Sequence, residues 1–501
     1  MTKHTTIGID DMSLYVPTLF LELSDLAVAR GIAYEKLKHG LGLERMAVPD
    51  VHEDAATMAA EAVLELFKKN NLNPKDIGRI YLGTESALDG AKPTATYAMA
   101  MVEMALTAEY GPRSLRRCDV VDMTFACIGA TDALQNCMDW VRGDANRQAI
   151  VIASDVAKYE LESTGEYTQG AGAVAMLVKQ NPRLLAFSDT WGVGTDSVHD
   201  FFKPRRAVQK EALLTSVLNE IGNTDISSET LLENLNTKGV FPFNIPDREI
   251  SIFREMPVFD GQYSNLCYLQ RALEAMEHFG ELINVGNDTA IYDRWLRMIF
   301  HLPYAAHARR IGVDIFLSET TRIGQLTDLQ TIANVSVPIR EEFEDTKSFE
   351  KAKNIYLKAI SDTPAYRQFV ADKLELPARA SAQVGNVYTA SIFLALMSAL
   401  ESELEHDNNI IDQKYGFVAY GSGSKAKVFE ATLRPNWKAA VANFKVFEKL
   451  NNRQQISFED YKNLHTEYAL TSLSRLEQPA FRLASIGAAG ELEGTRRYIL
   501  S

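Results

Sequence analysis

Apolar runs typical of buried strands alternate with an amphipathic stretch along the first part of this chain. Apolar and β-branched residues predict strands at 7–9, 77–82, 149–153 and 172–178. Residues 55–69 carry their apolar positions at helical spacing, which predicts a helix between the first two strands. Strands that alternate with helices in this way predict an α/β layered fold.

The second part of the chain is less regular. Residues 205–256 are polar, with weak periodicity, and we expect them to form an insertion on the surface. Residues 334–379 form a charged stretch of helical character, whereas residues 383–403 have a strand-then-helix pattern. An apolar run at 415–420 predicts another strand, and a last strand is expected near the surface at about 481–487.

Composition narrows the class of protein. The 501 residues are 46% hydrophobic and 24% charged, with a formal net charge of −14, which argues against a nucleic-acid-binding surface. The four cysteines show no zinc-ligand spacing, so we expect no metal site and a reducing compartment. The N-terminus does not resemble a signal peptide, and no run approaches the roughly 20 apolar residues of a membrane span. We therefore expect a cytoplasmic protein without membrane association.

Cys127 is the most informative single residue. The residues before it resemble a buried strand, and those after it carry apolar positions at helical spacing. A cysteine at such a junction lies near a helix N-terminus, where the macrodipole favours a thiolate and hence a nucleophile. A buried structural cysteine is the alternative. The small neighbours Ala126, Gly129 and Ala130 favour the nucleophile, because they leave room for a ligand to approach the sulfur.

Five segments share one layout, in which an apolar strand leads to a turn with a reactive or polar side chain. These segments are residues 81–89, the Cys127 segment, and residues 300–304, 384–389 and 420–424. Ligands of α/β folds usually bind at strand ends. Glu85, Cys127 and His301 would supply a base, a nucleophile, and an acid or oxyanion partner if they converge there.

Eight motifs in consecutive order resemble the hydroxymethylglutaryl-CoA synthase family of the thiolase superfamily. They are Gly83-Thr-Glu-Ser-x-x-Asp89, Ala126-Cys127 with Gly129-x-Thr131, Ser154-Asp155-x-Ala157-x-Tyr159, Thr168-x-Gly170-Ala-Gly172-Ala173, Asp200-Phe-Phe-Lys203-Pro204, His301-x-Pro303-Tyr304, Gly385-Asn386-x-Tyr388-Thr389-x-Ser391 and Tyr420-Gly-Ser-Gly423. The resemblance extends from the N-terminus to about residue 431. Each motif is weak alone, and their order makes the set specific.

The resemblance implies an acyltransferase reaction. Cys127 would accept an acetyl group from acetyl-CoA, and Glu85 would remove a proton from its methyl group. The resulting carbon would attack the ketone of acetoacetyl-CoA, with His301 binding or protonating the oxyanion. Water would then release 3-hydroxy-3-methylglutaryl-CoA. The CoA thioesters are substrates, so no cofactor is implied, and the implied context is the mevalonate pathway of isoprenoid synthesis.

The resemblance also implies a set of supporting residues. Three acids, Asp89, Asp155 and Asp200, would support acylation. Asn386 and Tyr388 would line the acetoacetyl pocket. Thr168, Tyr304 and Ser422 would also lie at the site. Backbone N–H groups at Cys127 and near Ser422 would form an oxyanion hole. Asp89 and Asp200 have the alternative role of caps or turn residues.

The phosphates of CoA require basic side chains somewhere in an acidic chain. The candidates are Lys203, Arg205, Arg206, Arg309 and Arg310. Many relatives have a lysine where this chain has Ala306, and many have a tyrosine where it has Ile128. The CoA contacts would therefore be rearranged here, and no hydroxyl role is expected directly after the nucleophile.

The implied architecture is the thiolase-like fold, in which two related β–α halves pack as alternating αβαβα layers. We expect the first half at residues 1–180, with Glu85 and Cys127, and the second at 181–501, with His301 and Asn386. The second half would include the insertion at about 205–256, and the molecule would be a homodimer. Two alternatives remain open: a carrier-protein-dependent relative that installs β-branches on polyketides, and a non-catalytic relative that binds CoA.

Overall fold

The structure is a computed structural model, and it describes residues 5–222, 225–238, 249–252, 255–467, 469, 471–476, 479–487 and 494–501. Parts of the predicted insertion, namely residues 223–224, 239–248 and 253–254, lie outside the described residues.

The strands and helices follow one another in an order that matches the early alternation. The strands are β1 (Ile7–Tyr15), β2 (Leu19–Glu22), β3 (Arg45–Val48), β4 (Ile77–Gly83), β5 (Asp119–Met123), β6 (Gln148–Ala157), β7 (Gly170–Gln180), β8 (Leu185–Thr195), β9 (Phe201–Phe202), β10 (Arg206–Gln209), β11 (Glu249–Ile252), β12 (Val258–Phe259), β13 (Arg297–Phe300), β14 (Lys414–Gly421), β15 (Lys425–Leu433), β16 (Gln454–Gln455), β17 (Phe481–Ile486) and β18 (Arg496–Leu500). The α-helices are α1 (Leu23–Arg30), α2 (Ala55–Asn70), α3 (Thr94–Tyr110), α4 (Gly129–Arg142), α5 (Lys210–Glu220), α6 (Ser228–Thr237), α7 (Gly261–Leu282), α8 (His307–Arg322), α9 (Leu326–Ala333), α10 (Thr346–Ser361), α11 (Pro364–Lys373), α12 (Glu375–Val384), α13 (Ser391–Glu405), α14 (Trp437–Val441), α15 (Val446–Asn451) and α16 (Phe458–His465).

Nine strands form one sheet in the order β13-β14-β15-β8-β1-β7-β6-β4-β5. The pairing pattern occurs twice. The first set consists of β1, β4, β5, β6 and β7. In it, β7 is antiparallel to both β1 and β6, and β4 runs parallel to β6 and β5. In the second set, β15 is antiparallel to both β8 and β14, and β13 runs parallel to β14. The two sets meet where β1 pairs with β8.

Side chains on β7 alternate between two hydrophobic clusters, as expected for a strand covered on both faces. Ala173, Ala175 and Leu177 pack in one cluster with α2 and α3, whereas Val174 and Met176 pack in the other with α4 and α13. Helices therefore cover both faces of this part of the sheet. The predicted α/β layered fold is confirmed.

Helix α4 lies between the two sets of strands. It packs on β4, β6 and β7 of the first set. Its carboxylate Asp132 pairs with Lys425 and Lys427 of β15 at 2.6 and 2.7 Å. On the other set, α7 packs on β8 and β15. The helix that follows Cys127 is thus a central layer of the molecule.

Two predicted elements differ from the structure. Residues 383–388 are not a strand, because Val384 ends α12 and the chain then turns at Gly385, where φ is +85°. The strand predicted near 481–487 exists as β17, but it pairs with the later strand β18, so it is not the last. Among the described residues, no helix is both long and apolar enough to cross a bilayer.

Candidate active site

The ends of three strands bring the predicted reactive residues to one region. Glu85 lies two residues after β4, Cys127 lies between β5 and α4, and His301 directly follows β13. Gly83 allows the first two to approach, because a Cβ at that position would lie 2.1 Å from the backbone nitrogen of Ala130 in α4. The sequence thus places a glycine where the strand meets the helix of the nucleophile.

Cys127 and Glu85 are bonded to each other. The thiol donates to Oε1 of Glu85, with 2.6 Å between Sγ and the oxygen. Burial raises the pKa of Glu85 to about 7, and burial together with the Glu85 charge raises the pKa of Cys127 well above its usual value. The expectation of a thiolate was therefore wrong, because it considered the helix terminus and not the burial and the carboxylate. The thiol proton can instead pass to Glu85.

Two side-chain-bearing residues beside this pair adopt left-handed backbone conformations. Ala126, which precedes the nucleophile, has φ +40°, and Tyr388 has φ +39°. Such values cost energy in residues with a Cβ and cluster at functional sites. The tight turn at Ala126 is followed by the buried Cys127 and then by the first turn of α4.

Asp155 is fully buried and connects segments that are far apart in the sequence. Its Oδ1 accepts from the backbone N–H of Glu85 at 2.7 Å and from the Thr84 hydroxyl at 2.9 Å. Its Oδ2 accepts from the backbone N–H of Thr389 at 2.9 Å and from the Thr389 hydroxyl at 2.5 Å. Asp155 therefore positions the backbone of the base and does not contact the sulfur itself.

Lys203 lies against the backbone of Glu85. Its ammonium donates to the backbone oxygen of Glu85 at 2.8 Å and lies 5.2 Å from the ring centroid of Tyr388. Its positive charge lowers the pKa of both Glu85 and Cys127, against the larger effect of burial. The β9 segment thus brings Lys203 to the backbone of Glu85, and its contact with CoA phosphates stays a prediction.

His301 is 2% exposed and has a defined partner. Its Nδ1 lies 2.5 Å from the Ser391 hydroxyl, and its backbone oxygen accepts from the Tyr268 hydroxyl at 2.9 Å. Burial lowers the pKa of His301 to about 3, so the ring is neutral near pH 7. Ser391 lies two residues after Thr389, which bonds to the carboxylate that supports Glu85, so the histidine belongs to the same region.

Asp200 is fully buried and fixes the turn that follows β14. Its Oδ2 accepts from the Tyr420 hydroxyl at 2.7 Å and from Ser264 at 3.1 Å, and its Oδ1 accepts from the backbone N–H of Gly423 at 2.8 Å. Ser422, the predicted oxyanion-hole residue, is half-buried within that turn. Asp200 is thus a positioning group for the turn.

Aromatic side chains form a wall beside Cys127. Tyr388 and Tyr159 are buried with it, and Phe201 and Phe259 pack against this cluster. The ring centroids of Tyr159 and Phe259 are 5.2 Å apart, and those of Phe201 and Tyr388 are 5.9 Å apart. Because β9 and β12 pair with each other and flank the insertion, its two ends are anchored at this wall.

Asn386 and Thr168 stabilise the turn that carries Tyr388. The side-chain oxygen of Asn386 accepts from the backbone N–H of Tyr388 at 2.8 Å, and the backbone N–H of Asn386 donates to the Thr168 backbone oxygen at 2.8 Å. Gly385 is required here, since a Cβ would lie 1.9 Å from the Gln169 oxygen. Both predicted residues lie at the site, and Thr168 contributes through its backbone.

The remaining predicted residues lie farther from the sulfur. The exposed carboxylate of Asp89 accepts from the N–H groups of Ala91 and Lys92, both at 2.7 Å, so it caps a turn and the structure does not bring it to Cys127. Arg309 and Arg310 are exposed on the first turn of α8. Tyr304 is buried beside them, and Arg310 opposes the rise in the pKa of Tyr304 that burial causes.

Some residues of the site were missed from the sequence. Ser391 and Thr389 belong to a recognised motif but had no predicted role. Phe259 gave no signal at all, because it reaches the site from the far side of the insertion. Across the described ranges, no group of three or more His, Cys, Asp or Glu side chains is arranged to hold a metal ion.

Comparisons with known proteins cover most of the chain. The family described as "Hydroxymethylglutaryl-coenzyme A synthase N terminal" matches residues 3–182, and the corresponding "C terminal" family matches residues 232–473. Hydroxymethylglutaryl-CoA synthase of Haloferax volcanii is 30% identical over 464 residues, covering 92% of this chain and 91% of the relative. That of Enterococcus faecalis is 27% identical, covering 94% of each. A solved structure of MvaS in complex with 3-hydroxy-3-methylglutaryl coenzyme A superposes with a TM-score of 0.73 at 26% identity, covering 99% of each chain.

Proposed function

Because this chain belongs to the hydroxymethylglutaryl-CoA synthase family, we propose that Cys127, Glu85 and His301 carry out the condensation for which the family is named. The protein is an acyltransferase of thiolase-like fold. It condenses acetyl-CoA with acetoacetyl-CoA to give 3-hydroxy-3-methylglutaryl-CoA and free CoA. The bond between the Cys127 thiol and Glu85 is the observation that carries the assignment of residues.

Acylation is the first step. The Cys127 sulfur attacks the carbonyl carbon of acetyl-CoA, and its proton passes to Glu85. Glu85 then gives this proton to the departing CoA sulfur, so that CoA leaves as the thiol and Glu85 is again a carboxylate. A carboxylate bonded to the thiol compensates for the raised pKa of Cys127, because the proton has an acceptor within reach. We assign the oxyanion of this step to the backbone N–H groups of Cys127 and Ser422, and the contacts from Asp200 to the Ser422 turn support that assignment.

Condensation follows on the acetylated enzyme. Glu85 removes a proton from the methyl group of acetyl-Cys127, and the resulting carbon attacks the ketone of acetoacetyl-CoA. A base with a pKa of about 7 combines basicity with an ionised fraction near neutral pH. His301 interacts with the oxyanion formed at the ketone. The alkoxide finally receives the proton that Glu85 took from the methyl group, so that Glu85 is regenerated as a carboxylate and His301 stays neutral.

Hydrolysis completes the turnover. Water cleaves the thioester bond to Cys127 and frees the thiol. The product, 3-hydroxy-3-methylglutaryl-CoA, keeps the CoA group that acetoacetyl-CoA brought in. Tyr388 and Asn386 are proposed to line the pocket of the second substrate, and Arg309 and Arg310 are proposed to contact CoA phosphates. The exposed position of both arginines on α8, which begins six residues after His301, supports this role.

The structural repeat supports a division into two related halves, residues 1–180 and 181–501, with the site between them. The order and pairing directions of β8, β15, β14 and β13 repeat those of β1, β7, β6 and β4. We also propose a homodimer that forms through β5. This strand lies at one end of the nine-stranded sheet, and its residues Asp119 and Val121 are exposed. An open sheet edge can pair with that of a second copy.

Intact-protein mass spectrometry tests the function directly. Incubation with acetyl-CoA should add one acetyl group at Cys127, and addition of acetoacetyl-CoA should remove it with release of 3-hydroxy-3-methylglutaryl-CoA. An adduct that forms but turns over only with an acetoacetylated carrier protein would replace the CoA substrate by a carrier-bound one. Absence of any adduct would refute the catalytic assignment and favour a CoA-binding relative.

A further inference from the structure

Ser391 is the group behind the ring of His301. It is the first residue of α13 and is 1% exposed. Its hydroxyl oxygen lies 2.5 Å from Nδ1 of His301 and also accepts from the backbone N–H of Leu302 at 3.1 Å. One hydroxyl therefore contacts both the imidazole and the backbone of the residue that follows it.

The hydrogen positions follow from what each group can donate. A serine hydroxyl has one hydrogen and two lone pairs, and the Leu302 N–H occupies one lone pair. Within the described part of the chain, Nδ1 of His301 is the acceptor in reach of the Ser391 hydrogen. Burial keeps the imidazole neutral near pH 7, so it carries a single N–H. When Nδ1 accepts from Ser391, that N–H is on Nε2.

The tautomer determines what His301 offers to a substrate. With the hydrogen on Nε2, the ring presents a donor to a developing oxyanion. With the hydrogen on Nδ1, it would present a lone pair, which repels an oxyanion. Nε2 bonds to no other described residue, so it is free for a ligand.

We infer that Ser391 is a positioning residue that holds His301 as the neutral Nε2–H tautomer, with that N–H directed at the oxyanion of the condensation step. The inference rests on the proposed role of His301 in condensation. It assigns Ser391 no part in acylation of Cys127. In this role the Ser391 hydroxyl does not contact the substrate and acts through the imidazole of His301.

Ser398 provides a matched control on the same helix. It is fully buried, its hydroxyl accepts from the backbone N–H of Ala380 at 3.1 Å, and it donates to the backbone oxygen of Leu376 at 2.7 Å. Ser398 thus has the bonding pattern of Ser391 without a histidine. Both alanine variants lose a buried hydroxyl and its two hydrogen bonds. Of the two, Ser391→Ala is the variant that also loses a contact with an imidazole.

The kinetic experiment separates the two half-reactions. Acetylation of Cys127 by acetyl-CoA and decay of preformed acetyl-enzyme with acetoacetyl-CoA are measured for Ser391→Ala, Ser391→Thr and Ser398→Ala. We expect Ser391→Ala to slow condensation roughly 100-fold, the loss typical of one oxyanion donor, with acetylation within a few-fold of the parent. Threonine keeps the hydroxyl and should restore most of the rate, and Ser398→Ala should leave the ratio of the two rates unchanged.

The tautomer can also be observed without any substitution. In protein labelled with ¹⁵N-histidine, long-range ¹H–¹⁵N correlations distinguish Nε2–H from Nδ1–H, and His301→Gln identifies the signals of His301. The Nε2–H form is expected in the parent, and Ser391→Ala should weaken that preference. An Nδ1–H tautomer in the parent, an unchanged condensation rate in Ser391→Ala, or equal losses in both half-reactions would each overturn the inference. Failure of the parent itself to acetylate or condense would refute the proposed function instead.

Discussion

The thiol of Cys127 and the carboxylate of Glu85 share one proton across 2.6 Å. The Glu85 charge raises the pKa of Cys127, whereas the thiol donor lowers the pKa of Glu85 against the larger effect of burial, so the pair favours the state in which the sulfur keeps its proton and the carboxylate accepts it. In the proposed mechanism one carboxylate serves twice, because Glu85 accepts the thiol proton during acylation and the methyl proton during condensation. The predictions below follow from this pair and from the groups around it.

Cys127→Ala should abolish acetylation by acetyl-CoA, because the variant lacks the sulfur that bonds to Glu85. Intact mass followed by peptide mapping measures the adduct. Cys137→Ala is the control, since Cys137 is a fully buried cysteine on α4 whose pKa burial raises to about 12. An adduct that persists in Cys127→Ala at another position would show that the nucleophile is misassigned.

Glu85→Ala should still be acetylated but should fail to condense. Loss of the carboxylate removes a negative charge that raises the pKa of Cys127, so the thiolate becomes more accessible even without its proton acceptor. Loss of a general base typically costs 10²- to 10⁴-fold, and we expect about that decrease in decay of the acetyl-enzyme. Glu53→Gln is the control. Burial raises the pKa of Glu53 to about 7, as it does for Glu85, but the partner of Glu53 is the Tyr15 hydroxyl instead of Cys127. Condensation at the parent rate in Glu85→Ala would remove Glu85 from this step.

The condensation rate should rise with pH and level off above about pH 7 or somewhat higher. Glu85 acts when deprotonated, its pKa is about 7, and acetylation removes the S–H donor that lowers this pKa in the free enzyme. His301, with a pKa of about 3, should contribute no titration between pH 5 and 9. Single-turnover decay of acetyl-enzyme across this range measures the profile. A falling limb centred near pH 6.5 would contradict a neutral His301.

Lys203→Met should move the midpoint of that profile to higher pH. The Lys203 charge lowers the pKa of Glu85, so its removal makes the carboxyl harder to ionise and reduces the rate most at low pH. Lys203→Arg keeps the charge and should shift the midpoint less. A change confined to KM for the CoA substrates, with an unshifted midpoint, would indicate that Lys203 binds the phosphates of CoA and does not tune Glu85.

Asp155→Asn should lower both stability and condensation. The amide would place a donor against N–H or O–H groups that now donate to the carboxylate, and loss of such buried bonds costs about 3 kcal/mol. Chemical denaturation and single-turnover kinetics measure the two effects. Asp89→Asn, on an exposed turn, should change either quantity little. A large loss of condensation in Asp89→Asn would restore the supporting role that the family resemblance implies.

Val121→Asp should convert the proposed dimer to a monomer. Val121 is 36% exposed on the terminal strand β5, where a charge would oppose pairing with a second copy. Light scattering should show the mass of two chains for the parent and of one for the variant. Ile355→Asp, at a 60% exposed position on α10, should leave the mass unchanged. A parent that is already a monomer would refute the dimer.

Strand ends were predictable because their signals are local. Apolar runs followed by small residues located the segments of Glu85, Cys127 and His301, and the structure has strands ending just before them. Residues 383–388 were misread because the alternation of small and polar residues there fits both a strand and the end of a helix. Local pattern alone did not distinguish the two.

Electrostatic context could not be predicted, since it depends on long-range packing. The thiolate was expected from the helix start alone, and the opposite direction results from burial and from Glu85, which lies 42 positions away in the chain. Lys203 was a candidate for phosphate binding because of its charge. Its contact with the backbone of Glu85 could not be predicted, because the two residues are 118 positions apart in the sequence. The same holds for Phe259, whose proximity to Cys127 arises only after the insertion returns to the sheet.

Asp155 has a consequence for how a newly made chain becomes active. Its carboxylate must receive Thr84 and Glu85 on one side and Thr389 on the other, and Thr389 is translated more than two hundred residues after it. A chain that has built strands β1, β4, β5, β6 and β7 but not yet added residue 389 holds Cys127 and Glu85 on an unfinished support. Competence to react should therefore be the last property acquired, so that acetylation of Cys127 lags behind secondary structure during refolding. Incomplete molecules would then consume no acetyl-CoA during synthesis.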